Sequence, residues 1–456
     1  MILTTTTSLG CALIAICIWI AFFGRRRPGK LPPGPKGYPI VGNALQLRDR
    51  PWHTFVEWKK QYGDIVYLRL FNQDAVVLNS AKAAADLLDR RGSNYSERLQ
   101  MPVVEHSNGG FNMVFMNPGV TFVSLEIASI IYNDASYERI TELASFLRYT
   151  LDSILPGRYA VNHVPVLELL PDFMSKWRRD AKGKCRHYTD KFLSYFLPIK
   201  QAMMQKQEIG SSFCSMLAEK QEQHGLDDVE SAWLAAINYL AGFETSESTF
   251  NWLTLAMIAF PEAQRKAQDE LDRVIGRGRI PTLDDMDNLP YMRAVVKEVL
   301  RWRPASPMGV LHATLEDDIY EGYYIPKGCL VIPNVLAMNH DEETYGPKPN
   351  EFRPERFLNE DGTLKSSPPD TKDEGHYTFG FGHRICPGRH IANNAVFTFA
   401  ILLWAMHLEP GKDSNRLSLE DEETGNSSRA RKFSVSTKAR FPEALEMLKL
   451  AKEEWV

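Results

Sequence analysis

The chain has 456 residues, 53 basic and 57 acidic side chains, a net charge of −4 and 44% hydrophobic residues. That is ample apolar material for a large core, and the near balance of charge argues against a nucleic-acid binder. Six scattered cysteines make no disulfide framework, which fits a reducing compartment.

Residues 1–24 carry no charged side chain, and residues 9–23 are almost wholly apolar, ahead of Arg25, Arg26, Arg27 and Lys30. A spanning helix needs about 20 residues. A cleaved signal peptide puts its charge before the apolar core. Here the positives follow it, which keeps that side cytoplasmic. Residues 1–24 therefore read as a retained single-pass anchor with a lumenal N-terminus, a cleaved signal being the alternative. Residues 25–37 form a basic, proline-rich hinge, because the prolines of Leu31-Pro32-Pro33-Gly34-Pro35 fix φ and remove donors. Residues 38–456 are the body.

Two strand-like runs, 65–70 and 75–78, flank the polar Asn72-Gln73-Asp74 and read as a hairpin. Asp227 and Asp228 cap a helical pattern that runs to Phe260, where Pro261 interrupts. That helix contains Ala241-Gly242-Phe243-Glu244-Thr245-Ser246. A mid-helix glycine costs about 1 kcal/mol against alanine, which close approach of a flat cofactor to the backbone would offset. An acid followed by a hydroxyl suits the relay of protons into a buried site. Residues 262–275 are a second helix, closed by Gly276. Pro290 starts a third and Pro304 ends it. On that third helix Glu298 and Arg301, three apart, share one face. Residues 320–325 and 329–332 read as short strands around a turn at 326–328. Residues 412–431 read as a polar surface loop.

The most specific stretch is Phe379-Gly380-Phe381-Gly382-His383-Arg384-Ile385-Cys386-Pro387-Gly388. Its glycines permit a tight, close-packed turn. A lone cysteine follows, just before a helix-like run at 389–404. A helix N-terminus biases a cysteine toward thiolate. A thiolate presented alone is neither a zinc knuckle nor half of a local disulfide, and it suits a single axial bond to haem iron.

Phe379, Gly382, Arg384, Cys386 and Gly388 fill every fixed position of F-x-x-G-x-R-x-C-x-G, and the chain resembles the cytochrome P-450 family. The likeness covers nearly all of residues 30–445. It implies a mainly α fold with a small β-sheet region, plus the one N-terminal transmembrane helix. It implies haem b (iron protoporphyrin IX) on Cys386, with Phe379, Arg384, Gly388, Gly242 and His312 around it. Arg384 and His312 would meet the propionates, although the residues alone leave His312 equally open to being an ordinary surface histidine. Residues 241–245 resemble the family's A/G-G-x-D/E-T motif, which implies catalytic roles for Thr245 and Glu244 in protonating bound oxygen. Glu298 and Arg301 resemble E-x-x-R, and Phe352-Arg353-Pro354-Glu355-Arg356-Phe357 resembles F-x-P-x-R-F. Together these imply a structural triad of Glu298, Arg301 and Arg356.

The implied reaction inserts one oxygen atom from O2 into a lipophilic small molecule. The chain has no glycine-rich nucleotide fingerprint on a strand-turn-helix unit, so electrons from NADPH would come through a separate NADPH-cytochrome reductase. The anchor and hinge resemble microsomal members, which implies the endoplasmic reticulum membrane and a cytoplasmic catalytic domain. The wording Cys386-Pro387-Gly388-Arg389-His390-Ile391-Ala392 is similar to fungal secondary-metabolism members. The pattern breaks in one place. No tryptophan lies between Trp58 and Trp177, so the family's W-x-x-x-R is missing. Residues 117–123 read as an internal junction where several helices' worth of sequence is absent, which leaves the fold incomplete. The competing expectation is therefore a catalytically inactive truncated paralogue or splice form. A soluble haem sensor conflicts with the anchor and with the acid–alcohol pair.

Overall fold

The computed structural model describes residues 28–47, 50–98, 101–107, 130–132, 137–154, 159–162, 165–412, 417–422 and 427–454. The expected anchor at 1–24 and the junction at 117–123 lie outside the described residues. Among the described residues no helix is long and apolar enough to cross a membrane. The chain divides into two compact units. The described residues are mainly helical, with one four-stranded and two two-stranded sheets among them.

The first unit holds the described part of 28–98 together with Met308–Met338 and Gly380–Ile385. Helix α1 (Pro51–Tyr62) begins on a proline, whose missing N–H costs nothing in a first turn. Strands β1 (Ile65–Leu70) and β2 (Gln73–Leu78) pair antiparallel, with Leu70 opposite Gln73. The turn is therefore Phe71-Asn72 rather than the polar run 72–74: Phe71 takes a positive φ of 55°, and Gln73 and Asp74 join the ladder. The Tyr67 hydroxyl donates to Asp74 Oδ1 at 2.5 Å, which satisfies that buried acid inside the sheet. Strand β3 (His312–Ala313) pairs with β6 (Leu330–Pro333), giving the order β1-β2-β6-β3. Between them β4 (Asp318–Tyr320) and β5 (Tyr323–Ile325) form a separate hairpin. The single strand expected over 320–325 thus reverses at Glu321-Gly322, both at positive φ. Trp52, Phe55 and Trp58 of α1 pack with Val66, Leu68, Val77 and Ile332 as this unit's core.

The second unit holds the described part of 101–307, Asn339–Phe379 and the residues from Cys386 onward. Its axis is a long helix. Helices α2 (Tyr137–Ile154) and α3 (Lys176–Met204) pack with the first half of α4 (Asp228–Ala259), where Phe146, Tyr188, Phe192 and Trp233 form one aromatic cluster. Asp227 and Glu230 close a capping box at the start of α4. The second half of α4 packs with α5 (Pro261–Val274), α6 (Pro290–Trp302) and α7 (Ala395–Ala405) around Trp252, Leu255, Val295 and Leu403. Between these two apolar halves α4 carries the polar segment Glu244–Ser248. Strands β7 (Met406–Pro410) and β8 (Val435–Ala439) pair antiparallel, and α8 (Ala444–Glu454) follows. The helix expected over 389–404 is two pieces, a five-residue turn at Arg389–Asn393 and then α7, with Asn394 between them.

Deep in this unit Glu298 and Arg301 are wholly buried, with Arg301 Nε 2.6 Å and Nη2 2.8 Å from the two carboxylate oxygens. Arg356 Nε is 3.4 Å from Glu298 Oε1, and the backbone N–H of Arg353 donates to the same oxygen at 2.7 Å. Arg301 Nη1 also donates to the carbonyls of Asn339 (2.7 Å) and Pro349 (2.8 Å). Arg356 donates to those of Tyr345, Pro347 and Lys348. The two guanidiniums thereby organise the whole 339–357 segment. Breaking a buried pair costs more than the pair contributes, because it strands a desolvated charge. Arg301→Ala is expected to lose about 3–5 kcal/mol and to yield protein without haem. Thermal melting and haem content of the purified chain check this, and normal haem content would remove the role.

Candidate active site

The cysteine loop is tied to the triad by a line of hydrogen bonds. Asn339, fully buried, gives its carbonyl to Arg301. Its side-chain oxygen accepts from the N–H of Tyr377 (2.9 Å) and its amide donates to Thr378 Oγ1 (3.0 Å). Thr378 in turn donates to the carbonyl of Leu300 on α6 (2.7 Å). Phe379 follows, and its carbonyl accepts the N–H of Cys386 at 2.8 Å. The Phe379 ring lies against His376.

Cys386 is half-buried and free of any disulfide. Burial pushes its thiol up, while the N–H groups of Gly388 and Arg389 and the charge of Arg389 pull it down. The net direction is upward, so the thiolate expected from a helix terminus is not what the protein alone favours. The turn that follows is five residues long and its dipole is correspondingly weak. Arg389 is oriented for this contact by Glu374, which lies 3.8 Å from it and accepts from Asn393 at 2.8 Å. A single thiol, with two N–H groups on its sulfur and burial that opposes the bare anion, matches the needs of one axial bond to a metal cation. A metal cation bound there would supply the charge that the site lacks.

On α4 the Thr245 hydroxyl donates to the carbonyl of Ala241 at 2.8 Å, and Thr249 repeats the pattern onto Thr245. Glu244 is 1% exposed. Burial raises its carboxyl to about 7 against the pull of Arg429, whose Nη2 lies 2.7 Å from Oε1. Gly242 is half-buried one turn before Ser246. The partners of Glu244 overturn the reading of 412–431 as a surface loop. Ser428 and Asp421 are buried, and Ser428 N–H donates to the Ala305 carbonyl at 2.9 Å.

In the first unit two arginines and a histidine gather. His312, 4% exposed, donates from Nδ1 to the Tyr95 carbonyl at 2.7 Å. Burial lowers it to about 4, and Arg98 and Arg384 lower it further in the same direction. His312 is thus a buried, neutral histidine, not a surface one. Arg98 donates to the carbonyls of Val310 (3.1 Å) and Leu311 (2.8 Å), and Arg384 Nε to that of Ser96 (3.0 Å). Burial and the Arg384 charge bring Arg98 down to about 10, with Glu97 opposing. Two neighbouring guanidiniums call for an anion, and the propionates of haem are of that chemistry. Gly382 is irreplaceable here: a Cβ on it would fall 2.0 Å from the Leu88 carbonyl, and its N–H is held by the Asp89 carboxylate. Sequence reasoning missed Arg98, Asp89 and Arg429. Nothing local distinguishes Arg98 from Arg90 and Arg91; only the bridge between Glu97 and Ala313 brings it to His312.

Comparison with known proteins agrees with this chemistry. The family described as Cytochrome P-450 matches residues 32–122 and 147–428. Two cytochrome P-450 monooxygenases of Armillaria gallica are 37% and 38% identical, over 93% of this chain and 92% and 93% of their own lengths. The cytochrome P-450 monooxygenase iboC of Amanita muscaria is 32% identical over 89% of each chain. The chain belongs to the cytochrome P-450 family and is a cytochrome P-450 monooxygenase.

Proposed function

We propose that the chain hydroxylates a lipophilic secondary metabolite of a fungus, with haem b held by Cys386 and electrons delivered from NADPH by a separate reductase. The observation that carries this is the lone half-buried thiol of Cys386, with the N–H groups of Gly388 and Arg389 on its sulfur. Likeness to fungal monooxygenases supports the substrate class. The apolar segment at 1–24 supports residence on the endoplasmic reticulum membrane with the body in the cytoplasm.

In this reading Cys386 would ligate the iron, and Arg98 and Arg384 would answer the propionates, with His312 joining them on taking up a proton. Bound haem supplies the iron at which dioxygen is activated, and the protein supplies orientation and protons. Glu244, buried and poised near neutrality, releases a proton from its carboxyl. Thr245 frees its hydroxyl from the Ala241 carbonyl and passes the proton on. Glu298, Arg301 and Arg356 keep the loop before Cys386 in place. A second reading, a partial fold without activity, is favoured by one observation. The family match is interrupted between 122 and 147, and the first Armillaria alignment runs over 485 positions against a chain of 456 residues.

The carbon monoxide difference spectrum of the reduced, membrane-expressed chain separates the two readings. A red-shifted Soret band that Cys386→Ser abolishes is expected, whereas absence of haem supports the partial fold. Arg98→Ala is expected to weaken haem retention about tenfold, the loss of one charge-assisted contact worth about 1.4 kcal/mol; haem transfer to apomyoglobin measures it. Glu244 gives a pH signature. Its carboxyl is raised from 4.5 to about 7 in the fold, so the folded chain binds a proton there that the unfolded chain has released. The associated stability is full below the unfolded value and is lost as pH rises through about 7. Glu244→Gln is expected to flatten that decline, by roughly 3 kcal/mol at most. Melting temperatures between pH 5 and pH 8 read it.

A further inference from the structure

The polar middle of α4 holds a second acid that the acid–alcohol motif leaves unused. Glu244 and Glu247 lie three apart, so their side chains share a face. Burial raises both carboxyls, and each leaves its Oε2 buried without a hydrogen-bond partner. Arg429 acts on both: its Nη2 is 2.7 Å from Glu244 Oε1, and its charge lowers Glu244 and Glu247 alike. The segment that brings Arg429 is docked on α4. Ser428 gives its carbonyl to Ser248 Oγ (2.7 Å) and Trp252 Nε1 (3.3 Å), and Ser427 donates to Glu244 Oε1 (3.3 Å). The remaining groups that act on the pair are Asn251, which bonds Glu247, and Glu422, whose charge pushes Glu247 further up. One cation facing the buried Glu244 and the half-buried Glu247 leaves a surplus negative charge when both carboxyls ionise. Acids in that position titrate as a pair.

We infer that Arg429 is a positioning residue that holds Glu244 and Glu247 as a pair carrying one shared proton at neutral pH, and that this pair is the proton store for the oxygen chemistry. The inference rests on the monooxygenase reading and adds to it a second acid and a cation from the C-terminal segment. The balance is simple. The O–H bond of the Glu244 carboxyl breaks as the shared proton leaves toward the Thr245 hydroxyl, which passes a proton on, and both carboxylates are then ionised beside Arg429. Glu247, less deeply buried than Glu244, then takes a proton from solvent. Arg429 stays charged throughout.

An infrared titration of the protonated-carboxyl stretch in the full-length, detergent-solubilised chain tests this, with Glu244→Gln and Glu247→Gln assigning the bands. In Arg429→Met the carboxyl band is expected to persist about one pH unit higher, a tenfold change in proton concentration, with Arg429→Lys restoring most of the wild-type curve. In Glu247→Gln the Glu244 band is expected to titrate lower and in a single step. In the haem-loaded enzyme, Arg429→Met and Glu247→Gln are expected to release more peroxide per electron pair, with an altered pH profile that the lysine variant repairs. Unchanged titration in Arg429→Met, or in Glu247→Gln should the methionine variant not fold, overturns the shared proton. The infrared readout needs no haem. A wild-type chain lacking the thiolate carbon monoxide band removes the monooxygenase reading, whereas an intact band with an unmoved titration removes only the pair.

Discussion

A guanidinium taken out of water must have its N–H groups met. Arg301 is taken out completely, and much of the second unit is built to meet them. Glu298 answers the charge. The carbonyls of Asn339 and Pro349 answer the remaining donors, and the side chain of Asn339 carries the constraint to Tyr377 and Thr378, at the mouth of the cysteine loop. Arg356 applies the same demand to 345–348. These segments have no regular ladder of their own. Their backbone polar groups are satisfied by two arginines instead, which makes the arginines dominant in ordering those segments.

Local charge imbalance marks the functional regions. In the first unit the Arg384 charge lowers Arg98, and both arginines lower His312. In the second, Glu244 and Glu247 bring two acids to one cation. Exposed ion pairs are ordinary, such as Arg265 with Glu262 and Asp269 on α5, and pairs of that kind contribute little. A fold tolerates buried, under-compensated charge mainly where function requires it. The cysteine follows the same rule, since burial opposes its anion and a bound metal cation removes the opposition.

The long helix α4 shows how one element serves both packing and chemistry. Its ends are apolar nearly all round, since the first half is buried by α2 and α3 and the second by α5, α6 and α7. The middle, Glu244–Ser248, is polar, and the C-terminal segment meets it through Ser427, Ser428 and Arg429.

The sequence by itself determined the elements whose signals are local. The capping box at Asp227, the prolines that open α5 and α6, the β1–β2 hairpin and the spacing of Glu298 and Arg301 depend on neighbours within a few residues, and periodicity and cap chemistry report them. The cysteine loop was legible because its glycines and thiol have few other uses in that order. Tertiary structure alone decided the partners that come from afar. Arg98 reaches the carbonyls beside His312 across 212 residues, Arg429 reaches Glu244 from the C-terminal segment, and Asn334 holds Asn79 across 255 residues. It also decided that residues 427–429 are docked although their composition is that of a surface loop. It decided as well that Cys386 is held against its own ionisation. Burial and charge are sums over everything packed around a group, and no window of sequence contains that sum.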